Sequence, residues 1–554
     1  MDWERFDPVA DRDEFSWDDI YAEADWDAPT RLNIGHEVCD RHAEAHPDRP
    51  ALEWAGAAGD RETMTFEQLR DRSNRVANVV ADHVERGDRV FSYMPRVPEH
   101  YAAMIGTLKT GAVWGSVNER FGPDGIAYRL ADCDARLVFT TPSNLDTVEE
   151  ALAEVPSVET VVVVDRDGET GGREDDHLDF HAATAEASHE FDVVETGGED
   201  DALLYYTSGT TGKAKGVLHR HRWVAGVAAT QKLSVDLGPD DLYWSTGDLG
   251  WLTGPINTLG AWYWGVSMFT TDGEFDPEAW ADLLDEYPIT VLFSVPTAYR
   301  MLRENEAVLE GVDHDIRHAL SIGEPLSAGV VEWGRDALGV TILDTYGQTE
   351  TGNMVINNYP EMELRPGSMG KPLPGVEAAI VDPDSGEVLP AGETGVIAER
   401  GDFPCFFASY WEQPEKTANC FVDGPDGEWY LSGDLGHRDE DGYFWFEGRA
   451  DDVIISAGYR IGPFEVESSL GEHPAVAEAA VVPKSDRERG NIVKAFVVLS
   501  ADYDPSDDLV EDIQQHVRNE LAAHEYPREV EFVDELPKTV TGKIRRTELR
   551  DRTA

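Results

Sequence analysis

An apolar run, Ala202-Leu203-Leu204-Tyr205-Tyr206, leads directly into Thr207-Ser208-Gly209-Thr210-Thr211-Gly212-Lys213-Ala214-Lys215-Gly216-Val217. The run reads as a buried strand. The glycines that follow leave a backbone free to curl and to approach a ligand closely. Hydroxyls and two ammonium groups sit among them. Successive backbone N–H groups in such a turn form an anion-binding concavity, to which Lys213 and Lys215 add charge. The ligand this suits is a polyphosphate. The segment is not a P-loop, which needs Gly, four residues, then Gly-Lys-Ser/Thr. Here Thr207 stands where that Gly is required and Ala214 follows Lys213. A flexible Gly/Ser/Thr linker is the alternative, but a linker needs no paired lysines and seldom follows a hydrophobic strand directly.

Charge decides how the lysines are read. The chain has 109 acidic and 46 basic residues, a net charge of -63. The acids are spread throughout, and lysine is scarce. Charge of this size is self-repulsive in dilute solution and screened in concentrated salt, so the expected host is a salt-in halophile. It argues against nucleic acid or an anionic membrane as partner. Four of ten lysines, Lys213, Lys215, Lys538 and Lys543, fall in two short motifs and are expected to be kept for chemistry. Cys39, Cys133, Cys405 and Cys420 are far apart, without a CxxC pair, which points to a reducing cytoplasm. The N-terminus is acidic and has no apolar signal-peptide core, and no apolar run is long enough to cross a membrane.

With 554 residues the chain is too long for one core. Residues 1–30 read as an irregular lead-in. Helical patterns then alternate with short β-rich runs, such as Val90–Met94 and Arg136–Thr140, which predicts α/β. Residues 166–200 read as a surface excursion. A second α/β region runs to about 350, with Thr290–Pro296 as a buried strand. From about 365 to 450 the sequence is glycine-punctuated and β-rich, as in a small barrel or distorted sheet. Residues 452–554 have the size and mixture of a small α+β domain.

Further polar groups punctuate this frame. Tyr346-Gly347-Gln348-Thr349-Glu350-Thr351 follows the strand-like Val340–Leu343, and a strand end suits ligand contact. Glu350 suits Mg²⁺, which takes one or two carboxylates plus phosphate oxygens; Thr349 offers a hydroxyl and Tyr346 a flat face. An ordinary polar turn gives the same pattern. Asp434, in Tyr430-Leu431-Ser432-Gly433-Asp434, suits the paired hydroxyls of a ribose, and a surface-turn aspartate reads equally well. Arg460, in Ser456–Pro463, is a phosphate-capable fork. Pro537–Arg546, carrying Lys538 and Lys543, reads alone as a basic tail.

Taken in order, these segments resemble the signatures of the adenylate-forming enzymes over about residues 30–550, and the wording of Gly448–Ile461 and Pro537–Arg546 is most similar to medium-chain acyl-CoA synthetases. The resemblance implies a large N-terminal domain, 1–450, of stacked α/β subdomains plus a small β-barrel-like subdomain. A small mobile C-terminal domain, 451–554, would follow. It implies an AMP-forming acid–thiol ligase that uses ATP, Mg²⁺ and coenzyme A in the cytoplasm. Adenylation followed by transfer to a carrier protein is the rival within the same chemistry. Thr207–Lys213 and Lys215 would hold phosphates. Gly323-Glu324-Pro325 and Asp344–Gln348 would hold the nucleotide, Asp434 and Arg449 the ribose and phosphate, with Arg460 near the phosphate. Lys543, Glu350 and Thr349 would be catalytic, and Asp451 the hinge. Ala457, Gly458, Tyr459, His524 and Tyr526 would meet CoA, although Glu525 would repel a phosphate there. Trp251, Leu252, Thr253, Ile322 and Gly347 would form the acyl pocket, with Trp262 and Trp264 near it. Acetyl-CoA synthetases carry Trp at the position of Gly347, so Gly implies an acid longer than acetate, from propionate to medium-chain or branched acids; aryl acids remain open.

Overall fold

The computed structural model describes residues 1–554 apart from Asp2, Glu4, 167–176, 208–212, Pro325, Asp402, Asp451, Val453, 457–458, 487–488, 501–502, 522–525, 539–543 and Ala554, and apart from the side chains of Ile455, Tyr459, Arg460, Glu465 and Glu520. The alternation of helical and strand-like text becomes two large sheets. In the first, Arg89–Tyr93, Val113–Ser116, Leu137–Thr140, Thr160–Val163 and Asp201–Thr207 run parallel. Lys215–Arg220 turns back antiparallel on Asp201–Thr207. Parallel strands buried on both faces read as continuous apolar runs, and Leu137–Thr140 and Val113–Ser116 are buried at every position.

The second sheet has fourteen strands. Its parallel part comprises Pro50–Ala55, Ser267–Thr271, Leu242–Ser245, Val291–Ser294, His318–Ser321 and Ile342–Gln348. Leu242–Ser245 lies between its successor Ser267–Thr271 and the later Val291–Ser294, so winding reverses there. Such a switch point opens a crevice at the carboxyl ends of the strands. The glycine-punctuated text becomes an antiparallel extension of this sheet through Asn353–Asn357, Ser368–Pro372, Phe444–Arg449, Gly427–Arg438, Gly395–Glu399 and Ala378–Val381. One hydrophobic cluster joins both sheets through Trp114, Tyr205, Trp223, Trp262 and Ile356.

The C-terminal segment has its own core. Val476–Asp486, Gly490–Leu499 and Glu529–Phe532 form a three-stranded sheet. Ile454, Val466, Leu470, Val493, Ile513 and Val517 pack together on it. Among the described residues no helix is long and apolar enough to cross a membrane.

Candidate active site

The last pair of the hairpin Asp201–Thr207/Lys215–Arg220 is Thr207 with Lys215, which brings the two flanks of the glycine-rich segment side by side. Ser208, Gly209, Thr210, Thr211 and Gly212 lie outside the described residues, but both flanks are fixed. Lys213 Nζ lies 4.9 Å from the centre of the Tyr128 ring and Lys215 Nζ 4.5 Å from that of Tyr410. Among the described residues neither ammonium has a carboxylate partner. In a chain this acidic, both positive charges remain available to an anion.

The second motif is placed by a change of strand direction. Ile342–Gln348 pairs parallel with His318–Ser321 as far as Asp344, then antiparallel with Asn353–Asn357 from Thr345 onward. Tyr346, Gly347 and Gln348 are therefore strand residues, and the turn is Thr349–Gly352. Two long-range contacts fasten this turn to the hairpin. The Tyr410 hydroxyl beside Lys215 donates to Glu350 Oε1 at 2.7 Å. His219, on the returning hairpin strand, donates from Nε2 to the Thr349 carbonyl at 2.9 Å. Burial pushes the His219 imidazole down to about 4, so it is neutral at physiological pH. Neither His219 nor Tyr410 is marked by a local motif. A polar residue at a buried position of an apolar strand was the available signal for His219.

A bulge sets Asp434. Between Val396/Leu435 and Ala398/Leu431 two steps on one strand face four on the other, with Gly433 at φ +72°. Bulges re-aim side chains, and this one turns Asp434 toward the second motif. Asp434 Oδ2 accepts from the Tyr346 hydroxyl at 2.8 Å and from Gln348 Nε2 at 2.6 Å. Its Oδ1 lies 3.0 Å from Arg449 NH1. Tyr430 donates to Gln348 Oε1 at 2.9 Å, orienting the amide. Tyr346 is buried, so its hydroxyl holds Asp434 rather than leaving an open ring face. Thr345 is tied to the Ser321 carbonyl at 2.7 Å, and burial holds the Asp344 carboxyl well above the usual range.

Glu399 lies under this network. It is fully buried, and among the described residues neither carboxylate oxygen has a hydrogen-bond partner. Burial, and then the Asp434 charge, push it up to about 8. A carboxyl raised in the fold binds its proton more tightly folded than unfolded, so stability declines as pH rises from the unfolded value of 4.5 toward 8. Glu399→Gln is expected to remove that decline, by about 1.4 kcal/mol per pH unit at most. The variant's melting-temperature gain should grow from pH 5 to pH 8; parallel curves would refute the assignment.

Other expected site residues are distributed unevenly. Gly323, at φ +91°, faces open space. Glu324 accepts from Thr297 Oγ1 and Arg300 NH2, both at 2.7 Å. Leu252 and Ile322 are buried, Thr253 is half-buried, and the rings of Trp251 and Phe121 are 5.6 Å apart. Trp262 and Trp264 are committed elsewhere. Trp262 donates to the Ala51 carbonyl and packs on Tyr101. Trp264 donates to the Ala228 carbonyl and packs on Trp3. Gly347 also has a structural role, because a Cβ there would stand 1.9 Å from the Asn353 carbonyl oxygen. Gly347→Ala is accordingly expected to cost about 1–3 kcal/mol or more, as overpacking with backbone displacement does. Thermal unfolding should show this, with activity on every acid falling together; a selective change in acid profile at unchanged stability would contradict it.

The sequence matches the model "AMP-binding enzyme" over residues 39–411 and "AMP-binding enzyme C-terminal domain" over 465–543. The chain belongs to the AMP-binding enzyme family. It is 42% identical to an acetyl-coenzyme A synthetase of Bacillus subtilis (strain 168), covering 97% of this chain and 93% of that one. A Brucella canis acyl-CoA synthetase structure is 36% identical with a TM-score of 0.77, covering 99% of both chains. The anthranilate CoA ligase AuaEII in complex with anthranoyl-AMP is 30% identical with a TM-score of 0.87, covering 95% of this chain and 98% of that one. The enzyme is an AMP-forming acyl-CoA synthetase.

Its C-terminal residues are placed as follows. Pro325, Asp451, Ala457, Gly458, His524, Glu525 and Lys543 lie outside the described residues, as do the side chains of Tyr459 and Arg460. Tyr459 is in the strand Tyr459–Ile461, paired with Ile454–Ser456. Tyr526 is packed into the small core, with Arg518 3.7 Å above its ring. Lys538 forms a 2.7 Å ion pair with Glu478, so its charge is committed to structure, contrary to the expectation that it serves chemistry. Lys538 and Ile544, the described residues on either side of 539–543, pair in an antiparallel bridge.

Proposed function

We propose that the enzyme activates a carboxylic acid larger than acetate, from propionate to medium-chain or branched acids, through an acyl-adenylate that is then captured by CoA. The observation that carries the adenylation site is the convergence of Lys215, Tyr410, Glu350 and His219, which fastens the phosphate-type hairpin to the turn after Gln348. A carboxylate is a poor acyl donor because its leaving group would be oxide. Attack on the α-phosphorus of ATP expels pyrophosphate and leaves an anhydride with AMP as leaving group. Lys213 and Lys215 would offset charge on the departing phosphates. Asp434 would accept from the ribose hydroxyls, oriented by Tyr346, Gln348 and Arg449. Glu350 fits Mg²⁺: it is a half-exposed carboxylate with one oxygen taken by Tyr410, and this ion takes one or two carboxylates plus substrate phosphates. When bound, the ion would neutralise phosphate charge and polarise phosphoryl oxygens.

A hinge at Asp451 is supported by its neighbours. Ala450 N donates to the Gly433 carbonyl at 2.9 Å, on the large domain. Asp452 pairs with Arg550 and Arg546 on the C-terminal helix Arg546–Thr553. Asp452 N still donates to the Arg449 carbonyl at 3.0 Å, so it is the side chain of residue 452 that belongs to the small domain, as expected of a boundary between 1–450 and 451–554. Rotation there would withdraw Lys543 and bring Ala457, Gly458 and Tyr459 in with CoA.

An acid larger than acetate is supported by position 347, where this hairpin admits no side chain to cap the pocket. Acetate is the second reading, favoured by the Bacillus subtilis relative's name. Carboxylate-dependent ATP–pyrophosphate exchange tests adenylation, and adding CoA distinguishes thioester formation from carrier-protein loading. The spread of acidic residues supports a cytoplasmic enzyme of a salt-in halophile. Its activity and melting temperature should rise together as KCl goes from dilute to molar, since salt screens like-charge repulsion. Full activity and stability in dilute buffer would overturn the halophile reading.

A further inference from the structure

The N-terminal lead-in and the antiparallel extension line a partly open cavity outside the nucleotide network. Its volume is 360 Å³, and its lining includes Pro8, Val9, Arg12, Lys371, Arg438 and Phe444. Arg438 is on the strand that carries Asp434, four residues further on, about 13 Å at ~3.3 Å per residue. Arg12, Lys371 and Arg438 are half-buried, and among the described residues none forms an ion pair with a carboxylate. Arg12 makes a long 3.4 Å hydrogen bond to the Val376 carbonyl. Lys371 Nζ lies 4.7 Å from the centre of the Tyr443 ring. Two carboxylates also line the cavity, and both are engaged. Asp441 pairs with Arg365 at 2.5 Å and Glu377 with Arg400 at 3.4 Å.

A chain with 109 acidic and 46 basic residues has carboxylates to spare for its cations. Three cations without one among the described residues line this cavity, against two carboxylates that are already paired. We propose that this cavity binds a small multivalent oxyanion of the phosphate class and that the bound anion fastens the lead-in to the antiparallel extension. Two guanidinium groups and an ammonium suit phosphate oxygens, which guanidinium forks bind bidentately. Pro8, Val9 and Phe444 provide apolar walls that lower the local dielectric and strengthen each contact. The volume falls at the small end of ligand sites, about 300–1,000 Å³. The lead-in is attached here by apolar packing of Phe15 and Trp17, by the Arg12 bond and by Trp17 Nε1 donating to the Gly375 carbonyl at 3.3 Å, and an anion held by Arg12 from one side and Arg438 and Lys371 from the other would add a cross-link.

The test uses the full-length protein with the active site filled by a non-hydrolysable acyl-adenylate analogue. Inorganic phosphate and inorganic pyrophosphate are titrated separately by calorimetry, into wild type and into Arg12→Gln/Arg438→Gln. At least one of the two anions should bind the wild type and raise its melting temperature. The double variant should bind it about tenfold or more weakly, the usual scale for a lost charge-assisted contact, and lose the anion-dependent rise. Lys371→Gln alone should give a smaller loss, and AMP-release kinetics should match wild type in both variants. Preference for one anion fixes whether one or two phosphoryl groups are held. Equal binding by wild type and double variant, or no binding of either anion at millimolar concentration, would overturn the proposal.

Discussion

Replacing Lys543 by Ala is expected to lower acyl-adenylate formation by about 10²–10³-fold, the range for losing a preorganised charge that stabilises a transition state. Thioester formation from supplied acyl-adenylate should be nearly unchanged. The asymmetry follows from the proposed division of labour: an ammonium near the α-phosphate offsets charge while pyrophosphate leaves, and has left the site when CoA attacks the acyl carbon. The motif resemblance singles out Lys543. Lys538, already paired with Glu478 at 2.7 Å, serves as the internal control, since Lys538→Ala should affect stability more than the adenylation step. Single-turnover measurement of each half-reaction decides the matter, and equal loss of both would remove Lys543 from this role.

Asp434→Ala is the second large effect. The substitution strips partners from Tyr346, Gln348 and Arg449 together. Removing one member of a buried ion pair costs about 3–5 kcal/mol, discounted here because the Arg449 side chain is 40% exposed. If Asp434 also accepts from the ribose, ATP affinity should fall by about 10²-fold or more. Asp434→Asn should recover part of the stability and little of the affinity, because an amide offers a single accepting oxygen. ATP titration by calorimetry, alongside thermal unfolding, separates the two losses. Unchanged ATP affinity with lowered stability would make Asp434 structural.

Local text made the hairpin, the parallel strands and the separate C-terminal core legible, because each depends on neighbouring residues. Contacts that close across long separations left no such trace. His219 meets Thr349 and Tyr410 meets Glu350 only after two strands from different sheets are brought together. Glu399 is an ordinary acid in the sequence, and its burial beneath Asp434 depends on strand register. The tryptophans show the same limit: Trp262 and Trp264 resemble residues near the acyl pocket in sequence, and nothing local foretells that each indole N–H is spent on a backbone carbonyl. Gly347 reads as missing pocket bulk, whereas the bulged hairpin also demands it through the approach of Asn353.

CoA-dependent AMP release in molar KCl with Mg-ATP, measured across acetate, propionate, butyrate, hexanoate, octanoate, 2-methylbutyrate and benzoate, tests both the ligase activity and the acid it prefers. The expected result is AMP rather than ADP, strict dependence on CoA, and a maximum on an aliphatic acid longer than acetate. A maximum on acetate would overturn the pocket argument while leaving the ligase intact. AMP release that ignores CoA, or no release with any acid, would contradict the account of this chain as a working acyl-CoA synthetase.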